Sequence, residues 1–307
     1  MAKIGWIAAD WGTSNVRVWG MTPDNQVIFA ASGSQGMASL SPAEYPDVLL
    51  SLLGEHAAAL HQNTPVMICG MAGARQGWRE APYLDSPAML TDIATCAVVP
   101  PMADKRLAPR ILPGICRTGD AGDNVMRGEE TQLLGLLALR PGFSGVVCMP
   151  GTHSKWVRID GGKCLGFETA MTGELYDVLG HHSVLRHSLA GDLTGPDRDD
   201  GFAVGLAGGL AAPERLTSLL FRTRAASLLS DRTPGWCAGY LSGLLIGAEV
   251  AAYRSWRTRE QVVLIGSARL CGLYASAIAI DGGSTDTVDA TDATLQGLAK
   301  AREHVFD

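Results

Sequence analysis

Two short segments of the chain combine a glycine, hydroxyl residues and flanking strands in a way suited to polyphosphate chemistry. The first is Asp10-Trp11-Gly12-Thr13-Ser14-Asn15 and the second is Pro150-Gly151-Thr152-His153-Ser154-Lys155. Backbone N–H groups and hydroxyls at a glycine-bearing turn approach phosphate oxygens closely, because no Cβ stands in the way. Gly12, Thr13, Gly151 and Thr152 are therefore candidate phosphate donors, and Lys155 adds a cation beside the second turn. The first segment opens on a carboxylate, Asp10, where the second has Met149. A carboxylate next to phosphates suits Mg²⁺, held directly or through water, so Asp10 is the candidate metal residue.

The elements around these segments repeat. Ile4–Ala9 is an apolar, β-branched run that reads as a buried strand, followed after the turn by Val16–Trp19 and then Val27–Ala30. From Val146 the same order returns: Val146–Met149, a Gly-Thr turn, Trp156–Ile159, the turn Asp160-Gly161-Gly162, and Cys164–Phe167. Gly12-Thr13 superposes on Gly151-Thr152 without gaps. A repeat of this length is no solenoid. It predicts two domains of similar core, each opening on a hairpin tipped by Gly-Thr. Two such hairpins facing each other across a cleft could hold one polyphosphate from both sides.

Further elements supply other candidates. Ser41-Pro42-Ala43-Glu44 is a capping box ahead of an apolar stripe from Tyr45 to Leu60. The strand Val66–Cys69 runs into the glycine-rich stretch Gly70–Trp78, which carries Arg75 and Trp78. Loops at strand ends of this kind bind ligands in open α/β sheets. A helix is predicted from Val125 to Leu139, with Gly128-Glu129-Glu130 in its first turns. The strand Gln261–Ile265, the turn Gly266-Ser267 and a helix from Arg269 to Ile280 form a nucleotide-binding arrangement of low specificity. Neither a P-loop nor a convincing dinucleotide fingerprint occurs.

Composition sets the outer limits. The 307 residues are 47% hydrophobic and 18% charged, a globular balance. The formal net charge of -6 and the lack of a basic stripe argue against nucleic acid as a partner. Ile4–Ala9 is too short for a signal peptide, and Leu241–Ala252 reads as a buried helix, so no membrane partner is expected. The seven cysteines are scattered and never spaced C-x-x-C, which suits a cytoplasmic protein. His181, His182 and His187 are read as structural or surface residues and not as metal ligands.

With these residues in view, the chain resembles a known family. Asp10-Trp11-Gly12-Thr13-Ser14-Asn15-Val16-Arg17 is similar to the first phosphate motif of the actin/hexokinase superfamily. Gly128–Gly135 with Met149–Trp156 resembles the 2-dehydro-3-deoxygalactonokinase family, as do Gly70–Trp78, Leu112–Ile115, Met171–Leu175 and Leu241–Glu249. The resemblance implies an α/β protein with two ribonuclease-H-like (actin/hexokinase-type) domains flanking a central cleft. Residues 1–142 would carry the sugar-acid and first phosphate sites, and 143–307 the second phosphate and adenosine sites.

It implies ATP as phosphoryl donor with Mg²⁺, and 2-dehydro-3-deoxy-D-galactonate as acceptor at its 6-hydroxyl, in galactonate breakdown. The gluconate epimer or another sugar acid is the nearest alternative acceptor. A catalytically silent, nucleotide-dependent sugar sensor is the alternative of a different class. A homodimer is compatible with this reading. Related sugar kinases carry Gly-Asp-Gln where this chain has Gly128-Glu129-Glu130, and the aspartate is the catalytic base. The resemblance makes Glu129 the base here, with Asp10 organising Mg²⁺ and Glu130 as a neighbouring substitute. An acceptor carboxylate calls for a cation, so Arg17, Arg75 and Arg127 are candidates, with Asn15, Trp78 and His153 as further substrate contacts. Gly266 and Ser267 would line the adenosine pocket.

Overall fold

A computed structural model describes residues 4–119, 122–257 and 261–306. The chain divides into two compact units. The first comprises residues 1–144, 158–167 and 290–307; the second comprises 145–157 and 168–289.

The first unit begins with the expected meander: β1 (Trp6–Trp11), β2 (Val16–Met21) and β3 (Val27–Gly33). Helix α1 (Tyr45–Leu53) leads to β4 (Thr64–Gly70), which lies parallel to β1. Then come β5 (Tyr83–Asp85), β6 (Ala88–Met89), α2 (Asp92–Thr95) and β7 (Leu107–Ile111), which runs parallel to β4. The sheet order is β3-β2-β1-β4-β7. β8 (Gly114–Arg117) and β9 (Asn124–Met126) join β5 in a small sheet ahead of α3 (Glu129–Leu139).

Period-two alternation decides what each face of the main sheet does. Ile7, Ala9, Trp11, Val66 and Ile68 enter the core beneath Tyr45, Leu49 and Leu53 of α1. Asp10 and Cys69 are paired in register across β1 and β4, one step out of phase with that core. The Glu44 side chain reaches back to the Ser41 N–H at 2.7 Å, the reciprocal half of the capping box. One expected boundary moves: Asn124–Met126 is a strand, and the helix starts at Glu129. Gly128 sits at φ +108°, which no helix accommodates, so the helix cannot extend back through it.

The second unit contains β10 (Gly145–Met149), the first half of β11 (Ser154–Asp160) and the end of β12 (Lys163–Ala170), whose intervening residues 158–167 group with the first unit; helices α4 (Thr172–His182), α5 (Arg198–Ala211), α6 (Leu216–Leu229) and α7 (Pro234–Ala252) follow. It continues with β13 (Val262–Gly266), α8 (Ala268–Ile280) and β14 (Thr285–Asp289). The strand order of this sheet is β14-β13-β10-β11-β12-β6, with β13 parallel to both β10 and β14 and the short β6 antiparallel to β12. Apart from β6, the order β12-β11-β10-β13-β14 matches β3-β2-β1-β4-β7 of the first sheet.

Helix α7 is long and apolar enough to cross a membrane, yet 83% of its apolar window is buried. It lies against α5 so closely that a Cβ on Gly205 would stand 2.1 Å from the Tyr240 carbonyl oxygen. The last helix, α9 (Ala290–Phe306), groups with the first unit. A Cβ on its Gly297 would stand 1.9 Å from the Thr131 carbonyl oxygen of α3. Close backbone packing on α3 therefore takes 290–307 out of the unit to which the expected 143–307 domain assigns it.

Candidate functional site

In the first unit, Asp10 and Arg17 stand directly opposite in the β1–β2 register. Cross-strand neighbours on one face are within side-chain reach, and Arg17 Nη2 donates to Asp10 Oδ2 at 2.6 Å. Arg17 Nη1 also donates to Thr291 Oγ1 of α9 at 3.2 Å. The tip of the hairpin is closed by Gly12 N–H donating to the Asn15 carbonyl at 2.8 Å. A neighbouring segment ties off the tip carbonyls. Met37 N–H donates to Gly12 O, Ala38 N–H to Thr13 O and Gly36 N–H to Ser14 O. Thr13, Ser14 and Asn15 themselves are exposed.

Two glycines bring the start of α3 to this carboxylate. Gly70 ends β4 at φ +84°; a Cβ there would stand 2.5 Å from Trp11 O and 3.4 Å from Asp10 Oδ1. A Cβ on Gly128 would in turn stand 3.5 Å from the Gly70 Cα. The residue after Gly128 is Glu129, the first of α3, whose Oε2 accepts the Arg127 N–H at 3.0 Å. Carboxylates are favoured at a helix N-terminus by the unsatisfied N–H groups there.

Glu129 and Glu130 differ sharply in surroundings. Glu129 is half-buried, whereas Glu130 is 0% exposed. Both Glu130 oxygens accept the Gly128 N–H, at 2.9 and 2.8 Å. Burial, and next the charge of Glu129, pushes the Glu130 carboxyl up to about 8. Its burial makes Glu130 a group that holds the turn, not one that meets a ligand.

The predicted cations separate in the same way. Arg127 lays its guanidinium over the Tyr83 ring at 4.2 Å and donates from Nη2 to Ala81 O at 2.9 Å. Its Nε and Nη1 are buried without a hydrogen-bond partner among the described residues. Arg75 is 81% exposed and pairs loosely with Glu80 at 3.4 Å, on the surface. Trp78 is a correction: it is 3% exposed, stacks on Tyr45 and donates to Pro101 O. Its apolar area completes the core under α1 and leaves no face for a substrate.

In the second unit the Gly151-Thr152 hairpin is held by the start of α4. A Cβ on Gly173 would stand 2.5 Å from Gly151 O, and Glu174 N–H donates to Thr152 O at 3.0 Å. Thr152 and His153 are exposed, and His153 Nε2 contacts Glu174 Oε2. Lys155 is 4% exposed and directs its Nζ to the His153 carbonyl at 3.3 Å. Its ammonium thus braces the hairpin from beneath.

Gly151 also borders a cavity of about 390 Å³ that lies within this unit. Leu245, Ile246, Leu270 and Leu273 give it apolar walls, and Thr172, Tyr176, Arg198, Ser242 and Ser267 add polar groups. Ser267 is the N-cap of α8, its Oγ accepting Leu270 N–H at 3.4 Å. Gly266 ends β13 packed against Pro150, where a Cβ would stand 3.4 Å from Pro150 O. Size and lining match a small-molecule pocket. Tyr176, Arg198 and Ser242 escape a reading of the sequence, because they come from three separate helices with no shared spacing.

The residues present fit a phosphate-bound Mg²⁺ and not a protein-enclosed metal. No group of three or more His, Cys, Asp or Glu side chains able to hold a metal occurs among the described residues. Mg²⁺ bound to a nucleotide asks for only one or two carboxylates, the rest of its shell being phosphate oxygen and water. Asp10, with 22% of its side chain exposed, meets that requirement.

The chain is similar to known proteins over nearly its whole length. The chain is 40% identical over 315 residues to Probable 2-dehydro-3-deoxygalactonokinase DgoK1 of Rhizobium meliloti (strain 1021), covering 100% of this chain and 99% of the relative. It is 36% identical over 296 residues to the 2-dehydro-3-deoxygalactonokinase of Escherichia coli (strain K12), covering 95% and 96%. The crystal structure of a Sinorhizobium meliloti 2-dehydro-3-deoxygalactonokinase protein superposes with a TM-score of 0.87 at 38% identity, covering 98% of this chain and 99% of the other. An ADPNP-bound activator of 2-hydroxyisocaproyl-CoA dehydratase from Clostridium difficile shares the fold, with a TM-score of 0.51 at 12% identity over 98% and 95%. The α/β fold of the actin/hexokinase type is thereby shown. The profile of the 2-keto-3-deoxy-galactonokinase family matches residues 10–301, and with its paired Gly-Thr hairpins and the Gly128-Glu129 helix start, the chain belongs to that family.

Proposed function

We propose that this protein transfers the γ-phosphoryl group of ATP to the 6-hydroxyl of 2-dehydro-3-deoxygalactonate. The observation that carries the reading is the meeting, through Gly70 and Gly128, of the Asp10 hairpin with the carboxylate-bearing start of α3. Phosphoryl transfer asks for positioning and charge neutralisation more than covalent help. Gly12 and Thr13 in the first unit, and Gly151 and Thr152 in the second, are assigned to the phosphates. Asp10 would hold Mg²⁺, which neutralises phosphate charge when bound; Arg17 keeps the Asp10 carboxylate oriented.

Glu129 is assigned the proton of the acceptor hydroxyl. It is the half-buried member of the carboxylate pair, while Glu130 is sealed beneath it. Arg127 is the favoured partner of the acceptor carboxylate. Its Nε and Nη1 have no partner among the described residues, and an anion would satisfy a donor that is costly to leave unpaired. The 390 Å³ cavity, with Ser267 at its rim and leucines in its walls, suits the adenosine.

The test is ADP release from MgATP with 2-dehydro-3-deoxygalactonate, its gluconate epimer and galactonate as acceptors. Turnover on the first alone is expected. Comparable turnover on the epimer would leave a kinase of broader acceptor range. Nucleotide binding without turnover on any acceptor would overturn the kinase reading in favour of a sensor.

A further inference from the structure

Helix α7 carries a single charged residue, Glu249, in an otherwise apolar and glycine-rich sequence. The side chain is 6% exposed. A carboxylate in such surroundings is costly unless its oxygens are fully engaged, and these are. Glu249 Oε1 accepts Trp156 Nε1–H at 2.8 Å. Oε2 accepts the Tyr274 hydroxyl at 2.6 Å and also the Thr172 hydroxyl. Ser154 Oγ lies 2.9 Å from the Tyr274 oxygen and extends the network by one link.

The donors come from β11, α4 and α8. Each is attached to the candidate nucleotide machinery of the second unit. Thr172 and Tyr274 line the 390 Å³ cavity. Thr172 also opens α4, whose next two residues press on the Gly151-Thr152 hairpin through Gly173 and the Glu174 N–H. Ser154 and Trp156 begin the strand that leaves that hairpin.

We infer that Glu249 is a positioning residue for nucleotide binding, holding the second Gly-Thr hairpin and two walls of the cavity in one arrangement. The inference rests on the nucleotide reading of that cavity. A buried carboxylate suits the task, since its two oxygens accept several donors at once and fix three elements against a fourth. A leucine would fill the volume while leaving the Trp156, Thr172 and Tyr274 donors unpaired.

The test compares wild type, Glu249→Gln, Thr172→Val and a control, Val250→Ala. Val250 is buried in the same helix but lies outside the network. Calorimetric titration with MgADP gives the affinity, and steady-state kinetics separate KM for ATP from KM for the sugar acid. Glu249→Gln is expected to weaken MgADP binding and raise KM for ATP by about ten-fold, the scale of one charge-assisted hydrogen bond. KM for the sugar acid should stay within about two-fold. Val250→Ala should lower the unfolding midpoint without moving the affinity, so a merely structural role would make the two variants alike.

If Glu249→Gln does not fold, Thr172→Val carries the same expectation, because it removes one donor and keeps the volume. Wild-type affinity in Glu249→Gln or Thr172→Val overturns the inference. A wild type that does not bind MgADP at all overturns the nucleotide reading beneath it.

Discussion

The two Gly-Thr hairpins occupy equivalent places in sheets whose five matching strands follow one order, yet the charged positions beside them differ. In the first, Asp10 and Arg17 face each other across β1 and β2 and stay partly exposed. The positions equivalent to them in the second are Met149 and Trp156, both buried. The carboxylate that meets Trp156 comes instead from Glu249, on α7. The first hairpin is buttressed by the loop 36–38, and the second by the start of α4. A repeated backbone therefore carries an accessible charge in one copy and a sealed network in the other. Strand pattern decides the backbone, while single side chains decide which copy can hold a cation.

The most severe break of this comparison is Glu129→Gln. The helix start beside the first hairpin should lose its base, and kcat should fall by ~10²–10⁴-fold with the circular dichroism unchanged. Near-normal turnover in that variant would remove Glu129 from its assigned role. Asp10→Asn comes next, with apparent Mg²⁺ affinity in the kinase assay falling roughly 10–100-fold. Met149→Leu at the equivalent position should leave Mg²⁺ dependence untouched; equal effects from both would dissolve the difference between the hairpins.

Gly70→Ala tests the junction. Its Cβ would meet Trp11 O at 2.5 Å in a backbone conformation at φ +84°. A loss of about 1–3 kcal/mol is expected in chemical denaturation. An unchanged midpoint would mean that the junction is not so tightly held.

A further effect concerns pH. Burial raises Glu130 from an ordinary 4.5 to about 8. Between those values the folded state keeps a proton that the unfolded state has released. Stability is therefore greatest below about 4.5 as far as this group is concerned, and declines as pH rises to about 8. Glu130→Gln should flatten that slope in thermal unfolding curves collected across the window. A slope identical to wild type would assign it to other groups.

Much of this was legible in the sequence. The alternation around Gly12 and Gly151 marked both meanders, since burial of one sheet face imposes a period of two. The glycines and Asp10 were visible because phosphate and Mg²⁺ chemistry uses few residue types at short spacing. Local pattern could not see Trp78 as core, because an aromatic in a glycine-rich loop looks the same whether it packs on Tyr45 or meets a ligand. It could not rank Glu129 above Glu130 either, since adjacent residues differ in burial only through what surrounds the helix.

The sequence by itself determined the three-strand meander that opens each half, the two Gly-Thr turns and the family, all of which depend on neighbours in the chain. Tertiary structure alone decided that α9 returns to the first unit, that Lys155 lies beneath its hairpin and that Glu249 finds donors from three elements. Those outcomes depend on contacts between residues far apart in sequence, where desolvation and close packing set the energy and no local spacing records them.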